Sequence, residues 1–530
     1  MAAGLKIKGH REEGEGLAGG LYRLGNLVLC AVGGIIFLAL SWYSFRYTQY
    51  IVPGQAERSL DRADSMGLNL AVLVIAAAGT GLLTFLERRL DKKRQLLLCR
   101  ISAGMMMVWI AAASIWWVYS SEHVPVGDQA FIYGGASYFM EGKYFFLDKG
   151  GYCDMYPYQL GLIALCELLF QLAGPLNYRA FELVCVALAV GSAWCGYRIL
   201  REIMGDTAVI AGYNILMAGC LPLIFYTPWV YGDIPSIFFA MLAQWMLLRY
   251  CAERRKRWLA VMVFSLVLAM LVRKNSAILL AAVCIGAILY ALRYRDRRVM
   301  TAFLLAAALA WGAYGAVYKM YEIRSGYEHS QGTPFVVWLA MGVEETKGTF
   351  GWDNNYYKEV FYESGCDMEA TAEAAREILA GRLEEFRRNP SMALVFYRNK
   401  VLSQWNQPLY QALFFNAESP EKEGGPEHGS LAAGLGGAYY ENVLAVCDRW
   451  QCVIYVGMLC YFILAVKRDS NILQHILAIT IVGGFFYSII SEGKARYIFP
   501  YYVMMFPFAL YGYRQAAEVI LRFRHKGKAA

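Results

Sequence analysis

The most constraining feature of this sequence is a series of apolar runs, each close to 20 residues long. A helix of about 20 apolar residues spans the ~30 Å hydrocarbon core of a bilayer. Lipid offers the backbone no hydrogen-bond partners, so a spanning segment is either a helix or part of a closed barrel, and barrel strands alternate in hydrophobicity. The runs therefore predict an all-α polytopic membrane protein with about 12 transmembrane helices. They cover residues 24–44, 67–86, 101–119, 178–198, 207–228, 233–250, 258–272, 276–293, 299–320, 444–466, 471–490 and 498–515.

The composition supports a membrane protein and argues against an ordinary soluble domain and a nucleic-acid-binding protein. Hydrophobic residues make up 58% of the 530 residues and charged residues only 17%, which is not the composition of an ordinary soluble domain. The formal net charge is +8. It does not indicate nucleic-acid binding, because the basic residues cluster in short loops beside the apolar runs, where they set membrane orientation.

The 13 cysteines lie mostly in apolar runs, where a thiol behaves as a small hydrophobic group. No CxxC pair and no Cys/His spacing typical of a metal site is present in the sequence. Cys153 and Cys366 both fall in segments predicted outside the membrane. A disulfide between them is left open, because a sequence does not supply the geometry that a bridge requires.

Topology depends on one ambiguous run. The loop 87–100 carries six Lys or Arg residues and is expected in the cytoplasm, so the following run leads outward and residues 120–177 form an external loop. If the run 156–173 crossed the membrane, the basic loops 254–257 and 293–298 would lie outside, against the positive-inside rule. It is therefore predicted to be an external interfacial helix, with both chain termini in the cytoplasm.

These features divide the chain into four regions. Residues 1–100 form a cytoplasmic N-terminal segment with two membrane spans, and residues 101–320 form a membrane core. Residues 321–440 contain no 20-residue apolar run and form an external loop or domain. Residues 441–530 hold the last spans and a basic cytoplasmic tail.

The external region 321–440 has its own local signals. Asp367 is a predicted N-cap of a helix that ends before Asn389-Pro390. Residues 391–416 are amphipathic and are expected to rest on the membrane, and residues 417–437 are rich in Gly, Glu and Pro and are expected to be flexible.

Polar groups converge at the predicted external ends of the spans. Carboxylates and cations at one membrane face suit a reaction in which a base deprotonates a hydroxyl and cations neutralise a departing phosphate. Simpler interpretations stay open: Asp233 as a helix cap, Arg273-Lys274 as membrane anchors, and 492–496 as a solvated loop. The candidate residues are the acids Asp128, Asp233 and Glu492, the cations Arg273, Lys274, Lys494 and Arg496, and Tyr156, Pro157, Tyr231 and Tyr497.

Several short motifs occur in a recognisable order. An acidic residue, Asp128, follows a span, and Tyr156-Pro157 begins an interfacial helix. Asp233 lies in TPWVYGDIPSIFF, and a basic turn, Arg273-Lys274, joins two later spans. Across residues 101–320, with a weaker match at 491–500, this arrangement resembles the GT-C superfamily of polyprenyl-phosphate-dependent glycosyltransferases, in its protein O-mannosyltransferase and aminoarabinose-transferase branch.

The chain departs from that family in three respects. Three predicted spans precede the loop that carries Asp128, where the family usually has one. The family's Asp-Glu pair is Asp128-Gln129 here, and residues 321–440 resemble no recognised domain. The two extra spans and the external region concern the acceptor more than the reaction.

The resemblance implies a reaction and roles for the residues. The donor would be a sugar on a polyprenyl phosphate or diphosphate, and the acceptor an extracytoplasmic glycan, lipid or protein. Asp128 would be the general base for an inverting transfer, Asp233 would orient the acceptor or a metal ion, and Arg273, Lys274 and Arg496 would hold the phosphate. If a divalent cation takes part, Mg²⁺ or Mn²⁺ would bind Asp128 and Asp233. The remaining predicted substrate contacts are Tyr156, Pro157, Tyr231, Glu492, Lys494 and Tyr497.

Three other classes of function compete with this one. A lipid transporter or flippase would show an internal repeat and ionisable groups near the midplane, but the sequence shows no convincing repeat. A polymerase or ligase of cell-surface glycans would use an external loop rich in Arg and His. A scaffold protein would leave cations at the external ends of spans unexplained.

Overall fold

The computed structural model describes residues 17–53, 57–328, 330–346, 348–414, 435, 437–466 and 472–526. Over these residues the protein is almost entirely helical, which confirms the predicted all-α class. Its strands form two short antiparallel hairpins: β1 (Tyr47–Tyr50) with β2 (Leu60–Ala63), and β3 (Glu345–Thr346) with β4 (Thr349–Phe350). The predicted flexible segment 417–437 and the basic pair Lys467-Arg468 lie largely or wholly outside the described residues.

Nine helices in the described part of the chain are long and apolar enough to cross a membrane. Each overlaps one of the predicted runs. The helices are α1 (Leu17–Arg46), α2 (Met66–Arg89), α3 (Lys92–Ser120), α7 (Tyr178–Ile203), α10 (Asp233–Glu253), α12 (Ala277–Tyr294), α13 (Arg298–Ser325), α18 (Tyr440–Cys460) and α19 (Ile476–Ile490). Three of these spans include an adjoining 3₁₀ or π-helical turn and run over Lys274–Tyr294, Tyr440–Ala465 and Ile472–Ile490.

The other three predicted spans take different forms, so the total of twelve stays a prediction. The run 258–272 is α11 (Lys256–Val272), which has 17 residues. The run 498–515 lies within α20 (Ala495–Lys526), a helix with two internal prolines. The run 207–228 is broken into α8 (Thr207–Ala218) and α9 (Leu221–Phe225).

The break between α8 and α9 has a local cause. Pro222, near the start of α9, has no N–H with which to continue the α8 ladder. The carbonyl groups freed at the end of α8 are bound by indole N–H groups: Trp450 donates to Leu216 O at 2.9 Å and Trp109 donates to Ala218 O at 2.8 Å. A broken helix is tolerated at membrane depth because neighbouring side chains satisfy its backbone in this way.

The remaining membrane helices form one packed core. α10 packs between α7 and α11, and α3 packs on α7 and α8. α18 packs on α20 and α1. A Cβ atom at Gly512 would lie 2.1 Å from the carbonyl oxygen of Gly457, so α18 and α20 approach backbone to backbone, as helices in membranes do at small residues.

The ambiguous run 156–173 becomes α6 (Leu160–Ala173), preceded by a 3₁₀ turn at Pro157–Gln159. Its 14 residues measure about 21 Å, which is too short to cross a bilayer. Glu167 is buried and binds α13, with the Arg324 guanidinium at 2.7 Å and the Tyr321 hydroxyl at 2.8 Å. A partner therefore compensates this buried charge.

Between α13 and α18, the described residues up to 414 form a mainly helical segment. Its helices are α14 (Phe335–Met341), α15 (Tyr356–Glu363), α16 (Met368–Arg388) and α17 (Pro390–Trp405). The start of α16 is capped as predicted, because the Asp367 side chain accepts from the backbone N–H groups of the first turn. Cys153 and Cys366 are both free thiols in the structure, so it contains no disulfide between them.

The expectation that residues 391–416 rest on the membrane was wrong for residues 402–413. Residues 402–413 are buried inside the protein rather than resting on a membrane surface. Polar side chains explain the burial, since they find partners within the protein: the amide of Gln404 donates to Ser488 O at 3.3 Å, and the indole of Trp405 donates to the Ser488 hydroxyl at 2.9 Å.

Candidate active site

A cavity of about 300 Å³ opens where five segments meet. α4 (Asp128–Met140), α10, α12 and α20 all begin at this end of the membrane core, and α11 ends there. We call it the site face. Eight of the eleven residues predicted from the sequence line this cavity: Asp128, Tyr156, Tyr231, Arg273, Lys274, Glu492, Arg496 and Tyr497.

Asp128 is the first residue of α4. It follows Gly127, whose φ of +55° belongs to the left-handed region that glycine tolerates best. The Asp128 side chain is 45% exposed, and its Oδ2 lies 4.0 Å from Nη2 of Arg496. The carboxylate is thus open to the cavity and close to a cation without a direct hydrogen bond to it.

Gln129, which stands where the resembled family has an acid, has a structural role. Its Oε1 accepts from the Val230 backbone N–H at 2.9 Å and lies 3.0 Å from Nε2 of His123. Burial lowers the pKa of His123 to about 4, so the neutral imidazole donates through Nε2. These contacts fix the start of α4 against the loop before α10, and no local pattern in the sequence indicates them.

Arg496 occupies an aromatic cage. Its guanidinium carbon lies 4.7 Å from the ring centre of Tyr231, 5.4 Å from that of Trp229 and 5.6 Å from that of Tyr497. The residue is buried, and its Nε has no hydrogen-bond partner among the described residues. A buried guanidinium held by ring faces keeps its N–H donors available for an anion in the cavity.

Asp233 is placed differently from Asp128. It is the first residue of α10, is only 1% exposed, and does not line the cavity. Its Oδ1 binds the Arg273 guanidinium in a buried ion pair, and its Oδ2 has no hydrogen-bond partner among the described residues. Burial, together with nearby Arg496, lowers the pKa of Arg273.

A glycine allows this ion pair to form. A Cβ atom at Gly232 would lie 2.0 Å from the carbonyl oxygen of Val272. Only glycine permits so close an approach between the start of α10 and the end of α11. Of the predicted acids, Asp128 and Glu492 line the cavity, and Asp233 lies near it without lining it.

The loop between α19 and α20 contributes Glu492 to the cavity and directs Lys494 elsewhere. Glu492 Oε1 accepts from the Tyr497 hydroxyl at 3.1 Å, and the Glu492 backbone N–H donates to Trp338 O at 2.7 Å. Burial, with a contribution from the charge of Asp353, raises the pKa of Glu492 to about 7. Lys494 does not line the cavity, and its Nζ lies 2.9 Å from the Glu57 carboxylate.

Tyrosines form much of the remaining wall. The Tyr156 hydroxyl contacts the Tyr357 hydroxyl, and the Nζ of Lys274 lies 4.9 Å from the centre of the Tyr158 ring. Pro157 does not line the cavity. It packs beneath the wall, where a Cβ atom on Gly332 would lie 2.4 Å from its ring.

Sequence reasoning missed the part of the cavity wall that comes from residues 321–440. The density of aromatic residues in FVVW and WDNNYY was the available signal, but a sequence does not say which surface such a segment covers. This segment closes over the site and brings a third carboxylate to it. Its lining residues are Phe335, Trp338, Asp353, Tyr357 and Lys358.

The residues at the cavity do not fit a divalent cation held in the predicted manner. Asp128 and Asp233 were the predicted ligands, and Asp233 is buried in its pair with Arg273. Within the described ranges, no group of three or more His, Cys, Asp and Glu side chains is arranged to hold a metal ion. The arrangement of these side chains therefore assigns no role to Mg²⁺ or Mn²⁺.

Comparison with known proteins identifies part of the chain. The family model of dolichyl-phosphate-mannose-protein mannosyltransferase matches residues 160–314, from the start of α6 into α13. No curated protein and no solved structure matches the chain. The matched stretch contains Arg273 and Lys274, and its family is one of polyprenyl-phosphate-dependent glycosyltransferases in multi-pass membrane proteins. Residues 160–314 are therefore similar to the dolichyl-phosphate-mannose-protein mannosyltransferase family, whose domain belongs to the GT-C superfamily.

Proposed function

We propose that the protein transfers a sugar from a polyprenyl-phosphate-type lipid to a hydroxyl group of an extracytoplasmic acceptor, with inversion of configuration. One observation carries this proposal. A half-exposed carboxylate, Asp128, and a caged cation, Arg496, face the same cavity 4.0 Å apart. A base for the acceptor hydroxyl and an anion-binding group for the departing phosphate, both facing one cavity, are the two parts that such a transfer requires.

Asp128 is the general base of this reaction. As the acceptor oxygen attacks the anomeric carbon, Asp128 takes the hydroxyl proton. The bond between the anomeric carbon and the phosphate oxygen breaks, and the phosphate leaves with the electron pair. A single displacement at the anomeric carbon inverts its configuration, since no enzyme group replaces the phosphate first.

Arg496 and Lys274 bind the departing phosphate. Both line the cavity, and ring faces hold both: Arg496 lies against Tyr231, and Lys274 against Tyr158. Preorganised cations stabilise the charge that develops on the leaving group without reorganising during the reaction. Lys494, which is paired with Glu57, supports the loop instead of binding donor.

Asp233 acts through Arg273. The ion pair fixes the Arg273 guanidinium at the cavity wall, where it adds positive charge beside the phosphate. Asp233 is thus a positioning residue, and Asp128 is the group that touches substrate.

The sugar and acceptor occupy the aromatic and acidic part of the cavity. Tyr156, Tyr357 and Trp338 offer ring faces, and Glu492 and Asp353 offer hydrogen-bonding oxygens to hydroxyl groups. Aromatic faces combined with a few oriented polar groups are typical of small-molecule sites.

The site face is extracytoplasmic in this proposal. The basic turns at Arg254–Lys256 and Arg295–Arg298 lie at the other ends of α11 and α12. Basic loops remain in the cytoplasm, so the cavity opens to the other side.

The test is release of sugar from a radiolabelled polyprenyl-phosphate sugar by purified protein in detergent. Wild type is compared with Asp128→Asn and with Asp367→Asn. Asp367 is an acid of the segment that closes over the site, and asparagine caps a helix as well as aspartate does, so Asp367→Asn is a matched control. Release by wild type and by Asp367→Asn, but not by Asp128→Asn, supports the proposal. Equal release by all three proteins contradicts it. The alternative function, a lipid flippase, predicts that lipid translocation continues after loss of Asp128.

A further inference from the structure

A second cleft lies at the membrane face opposite the candidate active site. It is a groove of about 1310 Å³ between α11 and α13. α11 contributes Val272 to the active-site cavity at its end and Lys256 to this groove at its start. Along α11 the mouth of the groove at Lys256 therefore lies about 24 Å from the active-site cavity at Val272, at 1.5 Å per residue.

The mouth of the groove is strongly basic. Among the described residues, Asp296 is the one acid that lines it, and this carboxylate is bound within the protein by the Arg254 guanidinium at 2.7 Å and the Tyr250 hydroxyl at 2.9 Å. Lys256, Arg297 and Arg298 are exposed at the mouth. The mouth therefore presents excess positive charge to whatever enters. Its lining cations are Arg254, Lys256, Arg295, Arg297 and Arg298.

The walls below the mouth are apolar and open. The lining runs from Lys256 to Val267 on α11, about 17 Å, and from Arg298 to Ala316 on α13, about 27 Å. One leaflet of hydrocarbon is about 15 Å deep, half of the ~30 Å core, so the groove is at least one leaflet deep. Three large side chains that line it are substantially exposed: Phe264 at 60%, Leu305 at 50% and Leu309 at 47%.

We propose that this groove binds an anionic glycerophospholipid of the leaflet opposite the active site, with its headgroup phosphate at the basic mouth and an acyl chain between α11 and α13. Charge complementarity selects the headgroup, because a phosphate accepts hydrogen bonds from arginine and lysine together. The depth selects a lipid over a soluble anion, since the apolar walls extend the full thickness of a leaflet. This inference stands independently of the proposed function.

The simplest competing explanation is that the basic residues only orient the chain in the membrane. It accounts for the charge but not for the apolar groove of leaflet depth beneath it. The two explanations differ in their dependence on the groove wall. A lipid site loses its ligand when the wall is filled, and an orientation signal does not change.

The test measures lipid affinity with purified full-length protein in detergent. Each protein's melting temperature is followed against added dioleoyl phosphatidylglycerol, dioleoyl phosphatidylcholine or inorganic phosphate, and the midpoint of each titration is compared. Phosphatidylglycerol is expected to raise the melting temperature of wild type. Phosphatidylcholine, which has the same chains, and inorganic phosphate are expected to have much weaker effects.

Two variants with matched controls test the two parts of the site. Lys256→Gln with Arg298→Gln removes two mouth charges and is expected to weaken phosphatidylglycerol binding about thirtyfold, at about 1 kcal/mol per charge. Its control is Lys92→Gln with Lys93→Gln, a pair of exposed lysines at the start of α3.

Gly312→Phe fills the groove, where a Cβ atom has open space. Its control is Gly315→Phe on the same helix, which also has open space but does not line the groove.

Loss of binding in both groove variants and its retention in both controls supports the proposal. Equal effects of the two lipids, or a full effect of inorganic phosphate alone, overturns it. Wild-type affinity in Gly312→Phe overturns it as well, because the charge would then act without the groove.

Discussion

Arg496 Nη2 lies 4.0 Å from Asp128 Oδ2, although the two residues are far apart in the sequence. Asp128 begins α4, and Arg496 lies in the first turn of α20. The matched family domain ends inside α13 and contains neither residue. The two residues proposed to carry the reaction therefore come from helices that precede and follow the matched domain in the sequence.

Replacement of Asp128 by Asn is expected to abolish transfer while preserving the fold. The side chains are nearly isosteric, and the Asp128 carboxylate is half exposed, with Arg496 at 4.0 Å and no direct hydrogen bond between them to lose. Loss of a catalytic base typically costs ~10²–10⁴-fold in rate. Turnover of the radiolabelled lipid, with the melting temperature as a folding check, measures both expectations.

Arg496→Gln is expected to weaken donor binding by about tenfold to a hundredfold, since a hydrogen bond to a charged group contributes about 1.5–3 kcal/mol. Arg496→Lys should recover part of the affinity, because the charge returns but the two-pronged geometry does not. Donor affinity from the titration of lipid-linked sugar is the measurement. The control is Arg387→Gln, an exposed arginine on α16 whose partner is Glu384. A donor affinity unchanged in Arg496→Gln would remove Arg496 from the phosphate site.

The buried pair of Asp233 and Arg273 gives a prediction that separates stability from binding. Asp233→Asn leaves the Arg273 cation buried without its partner, and breaking such a pair typically costs about 3–5 kcal/mol. Adding Arg273→Met to Asp233→Asn removes the uncompensated charge. The double variant is therefore expected to recover thermal stability but not donor affinity.

Two other outcomes would contradict the positioning role. If Asp233→Asn lost activity with an unchanged melting temperature, Asp233 would act on substrate directly. If the double variant bound donor like wild type, Arg273 would not bind the donor phosphate.

The sequence located the membrane helices well because their signal is local. Apolar length, basic loops and the Asp367 cap each depend on residues close together in the chain, and the positions of α2, α3 and α16 follow from them. The same local reasoning placed the candidate acids and cations at span ends.

The sequence could not predict where within the site face each of these residues would lie. Asp233 and Asp128 both lie at helix starts, but only contacts between distant elements decide that Asp233 faces Arg273. Lys494 similarly turns to Glu57, a partner far away in sequence. Residues such as Trp338 that close over the cavity come from a segment whose docking depends on tertiary packing.

Glu492 should make stability depend on pH. Burial raises its pKa from an ordinary value of 4.5 to about 7. The folded protein thus binds this proton more tightly than the unfolded chain, so the associated stabilisation is complete below about pH 4.5 and is lost as the pH rises to about 7.

The Glu492→Gln variant mimics the protonated form. Its melting temperature is expected to approach that of wild type near pH 5 and to exceed it near pH 8, with a ceiling of about 3 kcal/mol from the difference between a pKa of 4.5 and one of about 7. The control is Glu373→Gln, at an exposed glutamate on α16. Parallel pH profiles for wild type and Glu492→Gln would show that Glu492 does not titrate in this range.

Lys400 connects the segment over the cavity to the membrane core. Its buried ammonium donates to the backbone oxygens of Gly342 at 2.5 Å, Ile489 at 2.8 Å and Ser491 at 2.7 Å. The last two acceptors flank the end of α19, directly before Glu492 at the cavity wall. Lys400→Met keeps most of the side-chain volume but leaves these buried oxygens without a donor, at about 1–3 kcal/mol for each that finds no other partner.

We therefore expect Lys400→Met to lower the melting temperature and to increase proteolysis within residues 321–414. The control is Lys358→Met, at a half-buried lysine of the same segment, which should leave the melting temperature near that of wild type. Because Lys400 does not line the cavity, its effect on transfer should follow the loss of docking. Transfer should then recover at low temperature, where the segment remains docked. A variant that stayed fully docked by proteolysis but lost transfer at every temperature would instead give Lys400 a direct role in the reaction.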